Sequence, residues 1–207
     1  MKIVAFNGSP KEKGNTYTAI KIVTDKLAAE GIEIEIIHVG NKVIRGCLAC
    51  NHCAMARDER CIVDDEVNGW IQLMKEADGI ILGSPTHFSA IGGSMKSFLD
   101  RSFYVTSMND GMLRHKVGAS VVAVRRSGGV ATFNQLNNYL NYSEMMIPTS
   151  NYWNVIHGTM PGEALKDAEG VQIMEVLGDN MVMALRQREN THDGPERQPK
   201  VLTNFIR

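Results

Sequence analysis

Apolar and polar positions along this chain fall into blocks whose period switches between that of a strand and that of a helix. Lys2-Ile3-Val4-Ala5-Phe6-Asn7 is short, apolar and rich in strand formers, as a buried strand requires. From Thr18 to Glu30, Ile20, Val23 and Leu27 share one helical face and Gly31 supplies the stop. Ile32, Ile34, Ile36 and His38 then alternate over Ile32 to Val39, predicting a second strand. Asp64-Asp65-Glu66 places negative charge at the start of the next helix, which runs to about Ala77 and buries Val67, Ile71 and Met74. Gly79 to Ser84 reads as a third strand, followed by a helix through Met95, Phe98 and Leu99. Val117 to Val124 is a fourth strand, Thr132 to Met146 a helix, Asn151 to Ile156 a short fifth strand, and Asp167 to Arg188 the last helix.

Strands that alternate with helices imply an α/β fold, because right-handed crossovers put helices on both faces of a parallel sheet. Five strands fit a flavodoxin-like, doubly wound order, 2-1-3-4-5. Ligands of such sheets bind beyond the carboxyl ends of the strands, where the strand order reverses. The loops that meet there are Gly8 to Thr16, Pro85 to Ala90 and Arg125 to Gly129. These are also the stretches with unusual polar and glycine content.

The first of these loops suits a phosphate. It runs from a strand into a helix N-terminus, whose unpaired N–H groups and dipole favour an anion. Ser9, Asn15 and Thr16 offer side-chain hydrogen bonds and Lys11 or Lys13 a positive charge, and Gly14 ends the loop where it leads into the helix. A nucleoside triphosphate loop needs Gly, four residues, then Gly-Lys-Ser/Thr. Here five residues separate Gly8 from Gly14 and Asn15 stands where the lysine belongs, so the loop fits a monophosphate. The plainer alternative is an ordinary strand-to-helix turn capped by Asn15.

Composition narrows the classes. The chain has 207 residues, 43% of them hydrophobic and 22% charged, with a net charge of −1. That supports one domain over residues 1–188, with a cysteine-bearing insertion at 46–61 and a polar tail at 189–207. No excess charge recruits nucleic acid, no apolar run is long enough to span a membrane, and no signal peptide precedes the first strand. A cytoplasmic location is expected, with no nucleic-acid or membrane partner.

All four cysteines lie in one segment, Cys47, Cys50, Cys53 and Cys61, spaced C-x2-C-x2-C-x7-C. Three thiols at this spacing wrap one compact centre and a fourth closes it, as in ferredoxin-type runs. Zinc more often uses two separated C-x2-C knuckles. Spacing alone leaves open an iron–sulfur cluster, unligated thiols or zinc, and His52 reads as solvated or as a neighbour of the ligands.

Gly8-Ser9-Pro10 with Gly14-Asn15-Thr16, then Gly83-Ser84-Pro85-Thr86-His87-Phe88 with Lys96-Ser97-Phe98-Leu99-Asp100-Arg101, then Ser127-Gly128-Gly129 together resemble the NAD(P)H-dependent FMN reductase family of flavodoxin-like proteins, over roughly residues 1 to 185. The resemblance implies FMN, with its phosphate in the first loop and its isoalloxazine ring against the second and third. Pro85, Thr86, His87 and Phe88 would give a stiff backbone and flat side chains beside the ring, and Gly128 and Gly129 a close main chain. His87 stands where the family usually has an aromatic residue, often tyrosine. Phe88 also reads as a core aromatic, and His87 as a surface histidine.

The cysteine segment is similar to that of the iron–sulfur flavoproteins, a branch of the same family in which a [4Fe-4S] cluster passes electrons to FMN. These resemblances imply an FMN-dependent oxidoreductase carrying electrons from NAD(P)H, or from the cluster, to a quinone, free flavin, metal ion or other small acceptor. The alternative is a non-enzymatic carrier between protein partners such as ferredoxin. No catalytic side chain is implied, since the flavin performs the chemistry. Arg125, Arg126 and Lys11 read either as attractors of an NADPH phosphate or as solvated charge. A receiver domain shares the fold but needs acidic residues after the first strand, where Asn7-Gly8-Ser9 has none. By family analogy a homodimer or homotetramer is expected, with Val105 to Leu113 and the helix from Phe98 as contact surface.

Overall fold

The structure is a computed structural model in which residues 1–190, 194–201 and 203 are described. The chain folds as β1 (Lys2–Asn7), α1 (Asn15–Ala29), β2 (Glu33–His38), α2 (His52–Ala56), α3 (Glu66–Glu76), β3 (Gly79–His87), β4 (Ala90–Ile91), α4 (Gly93–Met108), β5 (Val117–Val124), α5 (Gly129–Tyr142), β6 (Val155–His157), a 3-10 turn (Glu163–Lys166) and α6 (Ala168–Asn190). The main sheet is parallel, in the order β2-β1-β3-β5-β6. With the small antiparallel strand β4 set aside, this is the expected flavodoxin-like order.

Alternation within each strand fills two cores. Val4 and Phe6 of β1 and Ile80 and Leu82 of β3 pack with Ile71, Met95, Phe98 and Leu136 under α3, α4 and α5. Ile3, Ala5 and Ile81 pack with Ile20, Val23, Leu177 and Leu185 under α1 and α6. Each fully buried large side chain contributes about 1.5–3 kcal/mol relative to exposure. Val105, Leu113 and Phe98, which family analogy placed at a subunit contact, are buried in the first of these cores.

Three element boundaries differ from the periodicity. The helix expected over Thr132 to Met146 is α5, which starts at Gly129 and stops at Tyr142. Glu144 is left-handed (φ 54°), and Met146 is drawn to the start of β5, where its carbonyl accepts from Gly118 N–H at 2.8 Å. Met145 and Met146 mimic the helical period but serve the sheet. The fifth strand, expected over Asn151 to Ile156, is the three-residue β6. Asn154 instead hooks onto β5, its Nδ2 donating to the Ser120 carbonyl at 3.0 Å, and Tyr152 and Trp153 are left exposed. The third strand, expected to end at Ser84, continues to His87 and turns back into β4.

The polar tail expected over Glu189 to Lys200 begins as the last turn of α6. Its Pro195 carbonyl accepts from Arg114 Nη2 at 2.9 Å. Residues 191–193, 202 and 204–207 lie outside the described residues.

Candidate functional site

β1 delivers Asn7, whose buried side chain ties the first loop from both ends. Its Nδ2 donates to the Glu12 carbonyl at 2.8 Å and its Oδ1 accepts from Ser9 N–H at 3.1 Å. Ser9 Oγ accepts from Lys11 N–H at 3.2 Å, and the Ser9 carbonyl meets His38 Nε2 at 2.7 Å. Gly40 allows β2 to pass close beneath, since a Cβ there would lie 2.1 Å from the Ser9 carbonyl oxygen. The loop ends at Gly14, which caps α1 with no side chain. The first-turn N–H groups are thereby left without a side-chain capping oxygen.

Ser9, Lys11, Gly14, Asn15 and Thr16 share one cleft of about 200 Å³ with Pro85, Thr86 and His87 of the second loop. Arg125 also lines it, as do Gly158, Thr159 and Pro161 beyond β6. No sequence signal marks that last segment. Thr86 Oγ1 is buried there without a hydrogen-bond partner. An unsatisfied buried hydroxyl costs about 1–3 kcal/mol, so a ligand oxygen or N–H in this cleft has a ready recipient. Lys11 and Arg125 form no ion pair among the described residues.

Two expectations about side chains are corrected. Asn15 neither caps α1 nor turns its oxygen to the cleft: Oδ1 accepts from Ala164 N–H at 3.2 Å and pins the 3-10 turn. Phe88 is neither a core aromatic nor a wall of the cleft. It is fully exposed at the tip of the β3–β4 hairpin, where Phe88 (φ 50°) and Ser89 (φ 59°) are both left-handed, as in a type I′ turn. A phenylalanine in that conformation stores strain of order 1–3 kcal/mol, the kind found at functional loops. His87 is exposed beside it and faces the cleft rim.

Ser127, Gly128 and Gly129 line a neighbouring cleft of about 290 Å³ together with Tyr152 and Trp153. The third loop nevertheless touches the second. A Cβ on Gly128 (φ 87°) would lie 2.6 Å from Ser89 Oγ, and Gln135 bridges the hairpin, donating to the Ser89 carbonyl and accepting from Ile91 N–H. Gly129 is small because Val155 lies against it. The three loop tips therefore converge on one rim as two clefts side by side.

The four cysteines line a separate pocket with Asn51, Ile62, Arg101 and Tyr104. Cys47 and Cys50 are exposed and Cys53 is buried, which pushes its thiol up from the ordinary value. Few backbone ladders hold this segment, and Ala49, Asn51, Arg57 and Glu59 all adopt positive φ. Side chains of α3 and α4 hold it instead. Asn68 accepts from Cys61 N–H at 2.7 Å and donates to the Cys61 and Val63 carbonyls, both at 3.1 Å. Asn109 accepts from Glu59 N–H at 3.0 Å, and Tyr104 Oη donates to Asn51 at 2.7 Å. Among the described residues no three His, Cys, Asp or Glu side chains are set to hold a single metal ion. One ion at about 2.3 Å from each sulfur needs the thiolates nearly touching. A four-iron cluster binds each thiolate at a different iron and so spaces them wider.

Behind this pocket Arg101 is fully buried and forks onto Asp65, at 2.6 and 2.8 Å. The guanidinium holds the Asp65 carboxyl below the usual carboxylate range. Further along α4 and α5, burial and the hydrogen bond to Asp100 push Tyr139 up to about 12.

Fold and clefts together define a flavodoxin-like α/β protein with an uncapped helix N-terminus at its first loop and a separate four-cysteine pocket. Residues 1–159 match the family model of the NADPH-dependent FMN reductases, and the chain belongs to that family of FMN-binding oxidoreductases. It is 33% identical over 194 residues to an iron-sulfur flavoprotein of Methanocaldococcus jannaschii, covering 90% of this chain and 98% of that one. To an iron-sulfur flavoprotein of Archaeoglobus fulgidus it is 32% identical over 192 residues, covering 91% and 93%. Among solved structures, RosB with bound 8-demethyl-8-formylriboflavin-5'-phosphate has a TM-score of 0.74 over 100% of this chain and 93% of its own, at 16% identity, a likeness of fold.

Proposed function

We propose that this chain is an FMN-dependent oxidoreductase that passes electrons from NAD(P)H, or from a [4Fe-4S] cluster held by Cys47, Cys50, Cys53 and Cys61, to a small acceptor such as a quinone or free flavin. The observation that carries the flavin assignment is the cleft between the first two loops: an uncapped helix N-terminus, a buried Thr86 hydroxyl without a partner, and Lys11 and Arg125 at its mouth. Bound there, FMN supplies both hydride and single-electron chemistry. The chain's own residues bind and orient: Ser9, Thr16 and the α1 N–H groups take the phosphate, Pro85, Thr86 and His87 flank the ribityl chain and ring, and Ser127, Gly128 and Gly129 border the ring's far edge.

The four-thiol pocket and the iron-sulfur flavoprotein relatives support the cluster. Helix α4 joins the two sites. Its first turn follows the second loop, with Gly92 N–H on Ser84 Oγ at 3.1 Å, and Arg101 reaches the cysteine pocket eight residues after Gly93, about 12 Å along the axis.

The test is a spectrum of anaerobically purified protein before and after NAD(P)H. Flavin absorption that bleaches with NADH or NADPH supports the reductase; purified protein that neither carries nor binds FMN refutes it. A second reading, an electron carrier, is favoured by Leu48 and Ile62, apolar and exposed beside Cys47 and Cys50. Flavin that ignores both nucleotides but is reduced rapidly by reduced ferredoxin selects that reading.

A further inference from the structure

Arg101 is the largest fully buried side chain among the described residues, and what surrounds it leaves one of its donors unmatched. Nη1 donates to Asp65 Oδ2 at 2.6 Å and to the Arg45 carbonyl at 3.4 Å; Nη2 donates to Asp65 Oδ1 at 2.8 Å and to the Val63 carbonyl at 3.1 Å. The remaining donor, Nε, is buried and has no partner. A guanidinium placed for structure alone would not be expected to leave a desolvated N–H unpaired, because the cost is about 1–3 kcal/mol. The side chain lines the same pocket as Cys47, Cys50, Cys53 and Cys61.

We propose that Arg101 is the positioning residue of the cysteine site, presenting a fixed positive charge and one free N–H to the pocket that the four cysteines line and so favouring the reduced state of the cluster bound there. The inference rests on the cluster reading above. A four-thiolate cluster is already anionic, and the one electron it takes from a reductant such as dithionite adds a negative charge. A buried cation at its edge favours that reduced form, and burial keeps water from screening the effect. Asp65 opposes Arg101 in charge and fixes its orientation, so removing either one shifts the cluster in opposite directions.

The experiment is a redox titration of anaerobically purified wild type, Arg101→Gln and Asp65→Asn, with iron and sulfide measured in each. Asn retains the N-cap function that Asp65 performs for α3. Arg101→Gln is expected to disfavour cluster reduction about tenfold, a midpoint lower by about 59 mV for one electron. Asp65→Asn is expected to shift the midpoint upward. Should Arg101→Gln fail to fold, the upward shift in Asp65→Asn still decides. Wild type lacking iron and sulfide overturns the cluster reading and this inference together. A wild-type cluster whose midpoint stays within twofold in the variants, or moves in one direction in both, overturns the inference alone.

Discussion

The cleft proposed to hold the flavin and the cysteine pocket lie at two ends of one stretch of α4, yet they are built by different means. The cleft is made of backbone: strand ends, a helix N-terminus and glycines that let main chains touch, with Asn7, Ser9 and His38 as side-chain ties. The pocket is made of side chains: Asn68, Asn109, Tyr104 and Arg101 reach from α3 and α4 to hold a segment with four left-handed residues and one short helix. The cleft inherits the rigidity of the sheet. The pocket has only as much order as its few hydrogen bonds provide, so the two sites should fail independently when perturbed.

The largest effect is expected on the backbone side. Gly40→Ala puts a Cβ 2.1 Å from the Ser9 carbonyl oxygen, and the first loop must move. FMN affinity should fall about a hundredfold and stability by about 1–3 kcal/mol, read by flavin fluorescence titration and thermal unfolding, with iron content unchanged. Loss of iron in this variant would show that the two sites are coupled. Asn68→Ala is the counterpart. It strips three hydrogen bonds from Cys61 and Val63, at an expected cost of about 2–3 kcal/mol, and should cost iron while leaving FMN affinity within twofold.

A smaller effect sharpens the assignment of the cleft. Thr86→Val keeps the shape and removes the unpartnered hydroxyl. The flavin-free protein should gain about 1 kcal/mol in stability while FMN binds about tenfold more weakly; a gain in stability with unchanged FMN affinity would leave Thr86 outside the ligand shell. Acid separates the sites again. Asp65 is held below its ordinary 3.8 by Arg101, so its contribution is complete above that value and is lost as pH falls from about 3.8 through the lower folded value. Circular dichroism in that range should show Asp65→Asn less acid-sensitive than wild type. The smallest effect is Lys11→Ala, a loss of a few-fold in FMN affinity that fades with added salt, because the lysine is exposed.

How much of this was legible beforehand follows from the same contrast. Strand order and the positions of the first and second loops are written in local patterns, because a buried parallel strand and a Gly-bounded turn each have a short signature. The cysteine spacing was equally visible. Its scaffold was not: no local pattern marks Asn68 and Asn109, which the fold turns inward, and nothing in the stretch Lys96 to Arg101 announces that Arg101 is buried. The β3–β4 hairpin was also hidden, because Phe88-Ser89 lacks the Gly or Asn that normally announces a left-handed turn. Asn15 misled for a related reason. A residue type suited to capping was instead recruited, 149 positions away, by Ala164.

The central claim is that the first loop and the α1 N-terminus bind a phosphate. Titration of the flavin-free protein with FMN and with riboflavin, identical but for that group, tests it most directly. The account predicts that FMN binds at least a hundredfold more tightly than riboflavin, with the difference shrinking in Thr16→Val; equal affinities for the two flavins would contradict it.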